Sequence, residues 1–264
     1  MRPVPFGQYV PVDSPVHALE ARAKMGLLAA FTVALFTVGG FDGLAIVASV
    51  LALALVLSRV PPAIALRGVR AVAFILAFTL AAHALHWNPA TVSVLRLGPL
   101  AVDGPGLLRG LFFAARIVLL VVGSSLLSLT TSPVQLTDAL ERLMRPLAVL
   151  GVPVGDAAMM LSVALRFIPT TAEEAEKVVL AQRARGARFD EGGPVRRARA
   201  YAPVLVPLFV NLFRRADELA TAMEARCYRG GEGRTRLHES RMGGSDWAVL
   251  VIGVAGLAAV AVLL

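Results

Sequence analysis

A single cysteine, Cys227, is the whole thiol inventory of this chain, so an internal disulfide and a four-cysteine metal site are both excluded. Charge is scarce as well: Asp, Glu, Lys and Arg make up 17% of the residues, against about 25% in ordinary soluble domains. No G-x-x-x-x-G-K-[ST] loop occurs, so the chain does not bind ATP by that route. Nor is there a clustered set of nucleophile, base and orienting group, which disfavours a membrane enzyme acting on lipid or peptide. The first residues, Met1 to Tyr9, lack the apolar core and small-residue cleavage site of a secretory signal and are expected to remain in the mature protein.

What is abundant is apolar sequence. Hydrophobic residues reach 57% and the mean hydropathy is +0.71. A helix needs about 20 apolar residues to cross a bilayer core, and five runs approach that length. Two lie within Met25 to Ser58, divided by the turn Gly39-Gly40-Phe41-Asp42-Gly43; a third covers about Ala71 to His86, a fourth Gly106 to Leu129 and a fifth Trp247 to Leu264. An outer loop is expected from Trp87 to roughly Pro105. The fold class that follows is all-α: a polytopic membrane protein with about five transmembrane helices, treated as one unit over residues 1–264.

The net charge of +8 is concentrated. Between Lys177 and Arg241 there are 14 Lys/Arg against 7 Asp/Glu, beside apolar spans, which is the pattern of a cytoplasmic segment under the positive-inside bias. Five spans would then place the N-terminus inside and the C-terminus outside. A nucleic-acid partner is not expected, because the basic stretch from Lys177 to Tyr201 carries just two aromatic residues, too few for base stacking.

Residues 130–245 read as helices with one apolar and one charged face, between N-terminal spans (1–129) and a C-terminal span (246–264). Ser132-Pro133-Val134-Gln135 is a helix start, with a capping Ser, Pro at the first helical position and Gln three residues after the cap. That helix should run to about Leu150 and stop before Gly151-Val152-Pro153. A second should extend from Gly155 through a kink at Pro169 to Arg185-Gly186. After the polar break Asp190-Glu191-Gly192-Gly193-Pro194, a third should reach Arg229, bent early by Pro203 and Pro207, and end at Gly230-Gly231.

A short repeat marks the last two helices. Ala181-Gln182-Arg183-Ala184-Arg185-Gly186 and Ala222-Met223-Glu224-Ala225-Arg226-Cys227 share Ala-x-x-Ala-Arg, 41 residues apart. The two Ala of each lie three apart on one helix face and permit close approach of another element, and Arg offers a rigid five-donor fork. Two similar ends suggest two similar partners. Chance recurrence of two good helix formers is the competing explanation.

Other features point to bland roles. Arg116 inside the fourth run is read as snorkelling from a span that starts nearer Ile117. His83 and His86, three apart, are too few for a metal and are read as interfacial beside Trp87. Glu173, Glu174 and Glu176 are read as a solvated face. A stand-alone secondary carrier or channel is the alternative function, but it would be expected to carry charged residues at the bilayer midplane in both halves, and only Arg116 is available.

The sequence resembles the transmembrane T component of energy-coupling factor (ECF) transporters, a family of vitamin and transition-metal importers. The resemblance rests on Gly7-x-Tyr9-x-Pro11 with Ser14, His17, Leu19, Arg22 and Lys24; on LTTSPVQLTDAL at 129–140; on Leu165-Arg166-Phe167-Ile168-Pro169 with Glu174; on Pro207-Leu208-Phe209 and Arg214 to Ala220; and on the two Ala-Arg-Gly signatures. Cys227 stands where the second signature has Gly, and Glu20-Ala21 where the family has Asp-Pro. The resemblance implies a non-catalytic coupling subunit in the cell inner (plasma) membrane, with its basic coupling helices cytoplasmic. Ala184, Arg185 and Gly186, with Ala225, Arg226 and Cys227, would dock two cytoplasmic ATPase subunits. One small membrane subunit would bind substrate, and no cofactor is implied.

Overall fold

The computed structural model describes residues 9–86, 93–97, 100–189, 191, 193–230 and 242–263, and not the side chains of 85–103 or 194. Gly7, Trp87, Asp190, Gly192, Gly231 and Leu264, all invoked above, lie outside the described residues, as does the His86 side chain. The fold is all-α, in two compact units: the described parts of Gly7–Leu136 with His238–Leu264, and of Thr137–Leu237.

The first unit opens with a single turn, α1 (Pro15–Ala18), capped by Ser14. Helices α2 (Ala21–Thr37) and α3 (Phe41–Ser58) follow, separated at Val38-Gly39-Gly40; of the turn expected over Gly39 to Gly43, Phe41, Asp42 and Gly43 instead form the first turn of α3. Two short pieces, α4 (Pro62–Ala65) and α5 (Arg67–Ala71), lead to α6 (Ala73–Ala84). Part of the expected outer loop is instead a small antiparallel sheet: β1 (Leu85–His86), β2 (Ser93–Leu97) and β3 (Leu100–Asp103), with β3 in the middle. Helix α7 (Gly104–Thr130) comes next, α8 (Pro133–Met144) begins the passage to the second unit, and α12 (Gly244–Leu263) closes the chain.

Three of these helices are long and apolar enough to cross a membrane, namely α3, α7 and α12, with mean hydropathies of 2.3, 2.1 and 2.3. Within the third expected span, Ala71 to His86, only α6 is helical for any length; the preceding Pro62–Ala71, in the segment before that span, meets α6 at 60°, and the two make a fourth crossing only if taken together. By itself α6 has 12 residues, about 18 Å at 1.5 Å per residue, short of the roughly 30 Å core. The remaining expected span is α2, whose 17 residues include Arg22 and Lys24 in the first turn.

Helix directions can be read from residue contacts. A Cβ on Gly123 of α7 would come within 2.9 Å of the Phe31 ring, Lys24 bonds Thr130 and Arg116 bonds Val38, so α2 and α7 run antiparallel in constant register. Asp246 bonds Glu20, and a Cβ on Gly253 would strike the Leu27 side chain, so α2 and α12 run parallel. The beginning and end of this unit therefore lie at opposite ends of it. Its core joins Phe31 and Leu35 of α2 and its cap Val38 to Val47 of α3, Leu126 of α7 and Leu257 of α12. Large apolar side chains such as Val56, Phe74 and Ile252 are more than 70% exposed, as a lipid-facing surface requires.

In the second unit α8 is followed by a 3-10 stretch, Arg145–Leu150, rather than continuing as α-helix to Leu150. Pro146 is the cause: it lacks a donor, and its ring excludes the carbonyl four residues back. Gly151 then stops the stretch at φ +81°. Helix α9 (Val154–Ala184) continues through Pro169 as one element of 31 residues. The third expected helix is two: α10 (Pro194–Ala200) and α11 (Ala202–Ala225), broken at Tyr201, so that Pro203 falls in a first turn where no donor is needed.

Candidate functional site

The two Ala-x-x-Ala-Arg segments end α9 and α11 in the same way. At the first, Arg185 caps the helix, Gly186 takes φ +89°, the Gly186 N–H donates to Arg183 O at 3.0 Å and the Ala187 N–H to Gln182 O at 2.9 Å. At the second, Arg226 caps the helix, Cys227 takes φ +56°, its N–H donates to Glu224 O at 2.9 Å and the Tyr228 N–H to Met223 O at 3.0 Å. Every donor and acceptor of the second end lies 41 residues after its counterpart. This is the left-handed helix stop in which the two residues after the cap satisfy orphan carbonyls. Cys227 thus keeps the turn that Gly makes at the first end, at a conformational cost of about 1–2 kcal/mol.

Ala184, Arg185, Gly186, Ala225, Arg226 and Cys227 are all exposed. Neither Arg185 nor Arg226 has an ion-pair partner among the described residues. Each helix end therefore presents a fixed turn, small side chains and a guanidinium without an ion-pair partner among the described residues.

Between the ends the helices cross. Arg215 of α11 donates to Glu174 of α9 as an ion pair, reaches Thr170 Oγ1 at 3.4 Å and lies over the Phe167 ring at 5.5 Å. Glu174 is thus half-buried and committed, not part of a solvated face, whereas Glu173 and Glu176 are exposed as expected. A groove of about 510 Å³ beside the crossing is lined by Val163, Phe167, Leu212, Leu219 and Met223. Gly230, just past α11, approaches Asp156 at the start of α9, so the helices are opposed in direction. The two arginines consequently stand at opposite ends of the pair, each about 16 Å along its own helix from the ion pair at 1.5 Å per residue.

The residues of the N-terminal motif and of the 129–140 motif come together in the other unit. His17 sits between Ser14 Oγ (2.7 Å) and Val10 O (3.0 Å), with the Tyr9 ring edge-on at 6.0 Å. The Val10 N–H donates to Leu129 O, and Lys24 Nζ donates to Thr130 O at 2.9 Å and His17 O at 3.3 Å. Arg22 pairs with Glu20, the cap of α2. The expected cap of α8 is present and reciprocal: the Ser132 N–H donates to Gln135 Oε1 and the Gln135 N–H to Ser132 Oγ. Asp246 was not singled out by sequence reasoning. It is buried and accepts from the Gly243 and Glu20 N–H groups.

Arg116 lies level with the turn between α2 and α3. It donates to Val38 O at 2.6 Å, where α2 ends, and packs against Phe36, Phe112 and Phe113. A cation at a helix C-terminus is favoured by the dipole, and the aromatic faces supply the rest of its surroundings. The His83 Nδ1–H donates to Thr79 O at 2.9 Å and the ring lies tilted against Phe113 at 5.0 Å, a packing role inside α6.

The family model described as cobalt transport protein (CbiQ) matches residues 13–237. A protein of Heliobacterium modesticaldum, named energy-coupling factor transporter transmembrane protein EcfT, is 47% identical over 95% of this chain and 94% of its own length. Proteins of the same name from Thermanaerovibrio acidaminovorans and Bacillus subtilis are 46% and 39% identical, over 96% and 93% of this chain and 95% and 92% of theirs. The chain belongs to the family of energy-coupling factor transporter transmembrane proteins.

Proposed function

We propose that this chain is the transmembrane coupling subunit of an ATP-driven ECF-type importer of vitamins or transition-metal ions. It transmits closure of two cytoplasmic ATPase subunits to a small membrane subunit that binds substrate. The membrane is the cell inner (plasma) membrane, with the basic segment on the cytoplasmic side in keeping with its Lys/Arg excess.

The observation that carries this reading is the identity of the two helix ends on a crossed, pinned pair. An ATPase dimer offers two equivalent surfaces, and the chain offers two equivalent plugs, at opposite ends of the pair. Ala184 and Ala225 leave room for close approach, while Arg185 and Arg226 supply charge-assisted hydrogen bonds to carboxylates or helix-end carbonyls. When the ATPases close on ATP, the crossed helices are driven between two arrangements, and the membrane subunit follows.

The test is the double variant Arg185→Ala with Arg226→Ala. Association with the ATPases and ATP-dependent uptake should both be lost, with each single variant impaired less. Unchanged association and uptake in the double variant would overturn the assignment.

A further inference from the structure

The last turn of α7 is fastened by the N-terminal segment. A helix ends on four carbonyls that have no partner within it. In α7 one of these, Leu129 O, accepts from the Val10 N–H at 3.0 Å, and another, Thr130 O, accepts from Lys24 Nζ at 2.9 Å. The same ammonium reaches His17 O at 3.3 Å. Lys24, Thr130, Thr131 and Asp246 are all buried. The Asp246 carboxylate acts on Lys24 through space and accepts the N–H groups of Glu20 and Gly243, at 3.2 and 2.8 Å.

Replacing Lys24 alone by an apolar residue relieves the desolvation of a buried ammonium but leaves Thr130 O and His17 O without this donor and the buried Asp246 carboxylate without its cation, so a loss of stability is expected alongside any effect on coupling. What the cation supplies is direction. It ties the first turn of α2 and the segment before it to the last carbonyl of α7, and Asp246 adds the start of α12. Two residues beyond Thr130 the reciprocal Ser132–Gln135 cap opens α8, the first element on the covalent path to α9 and α11. The joint therefore stands at the point where the chain leaves its membrane unit.

We infer that Lys24 is a positioning residue for energy coupling: it locks the end of α7 to α2 and α12, so that displacement arriving through α8 moves these helices as one body. This rests on the coupling function proposed above.

The test is deuterium exchange of the whole complex, this chain with its ATPases in lipid nanodiscs, compared between ADP and a non-hydrolysable ATP analogue. In the wild type the nucleotide should alter exchange in α9 and α11 and also in α2 and α12. In Lys24→Met the response of α9 and α11 should persist, while that of α2 and α12 falls at least about fivefold, the lower end of typical coupling between sites. Lys24→Arg should retain it. A lysine with a merely structural role would change exchange equally in both nucleotide states and leave the difference intact. That outcome, or a wild type with no nucleotide response in α2 and α12, overturns the inference. Should Lys24→Met fail to assemble, Asp246→Asn is measured in the same way, and an undiminished response there overturns it. A wild-type chain that binds no ATPase instead sinks the functional reading itself.

Discussion

Glu174 and Arg215 form an ion pair at the crossing of α9 and α11, and each lies eleven residues ahead of the arginine that ends its own helix. The pin is therefore equidistant from Arg185 and Arg226, with arms of about 16 Å at 1.5 Å per residue. Both partners are about 30% exposed, so the direct electrostatic gain is modest, about 1 kcal/mol. Glu174→Ala and Arg215→Ala should each lower the stability of the purified complex by about that amount and should not be additive. The exchanged pair Glu174→Arg with Arg215→Glu should recover part of the loss. Strict additivity in a thermal-shift double-mutant cycle would show that the two residues act separately.

The positive φ at Cys227 predicts an asymmetric pair of substitutions. Cys227→Gly should raise the stability of the chain by up to about 1 kcal/mol, the relieved left-handed strain less the extra freedom glycine has when unfolded. Gly186→Cys should lower it by a similar amount, because nothing lies within 4 Å of a Cβ there and the cost is conformational. Thermal unfolding of the two variants checks this, and a destabilising Cys227→Gly would mean that the thiol makes a contact that matters.

The reciprocal cap at Ser132 and Gln135 should be worth about 1 kcal/mol to the start of α8. Ser132→Ala is expected to speed amide exchange over residues 134–136 about fivefold, whereas Ser132→Asp should leave it near the wild-type rate.

Close packing of α2 on α7 depends on Gly123, since a Cβ there would sit 2.9 Å from Phe31 Cε1. Gly123→Val should cost about 1–3 kcal/mol through overpacking. Adding Phe31→Leu should return part of it, which a melting curve of the purified chain in detergent would report.

Much of this was legible in the sequence because the signals are local. The cap at Ser132, the stops at Gly151 and Gly186 and the apolar runs of α3, α7 and α12 each follow from the residues present. The 41-residue repeat also marked both helix ends, and it carried a further signal that went unread, since Glu174 and Arg215 are separated by the same interval. Less legible were features set by tertiary partners. Whether Tyr201 breaks a helix depends on where Pro203 can be placed without a lost donor. Lys24 enters the sequence only as one residue of the N-terminal motif and gains its role when Thr130 and His17 are brought to it, and Asp246 carries no local signal until Glu20 arrives. The bend between Pro62–Ala71 and α6 lies in a run that is apolar throughout from Ala71, so composition alone gave no mark of it.

The central claim is that this chain couples ATPases to a separate substrate subunit. It is tested most directly by purifying the tagged chain in detergent from its native membrane, identifying what accompanies it and measuring ATP hydrolysis. The account predicts one or two P-loop ATPases and one small membrane protein, with hydrolysis in the purified fraction, and loss of the ATPases from the Arg185→Ala, Arg226→Ala variant. A chain that purifies alone and still transports in liposomes would contradict it and favour a self-contained carrier.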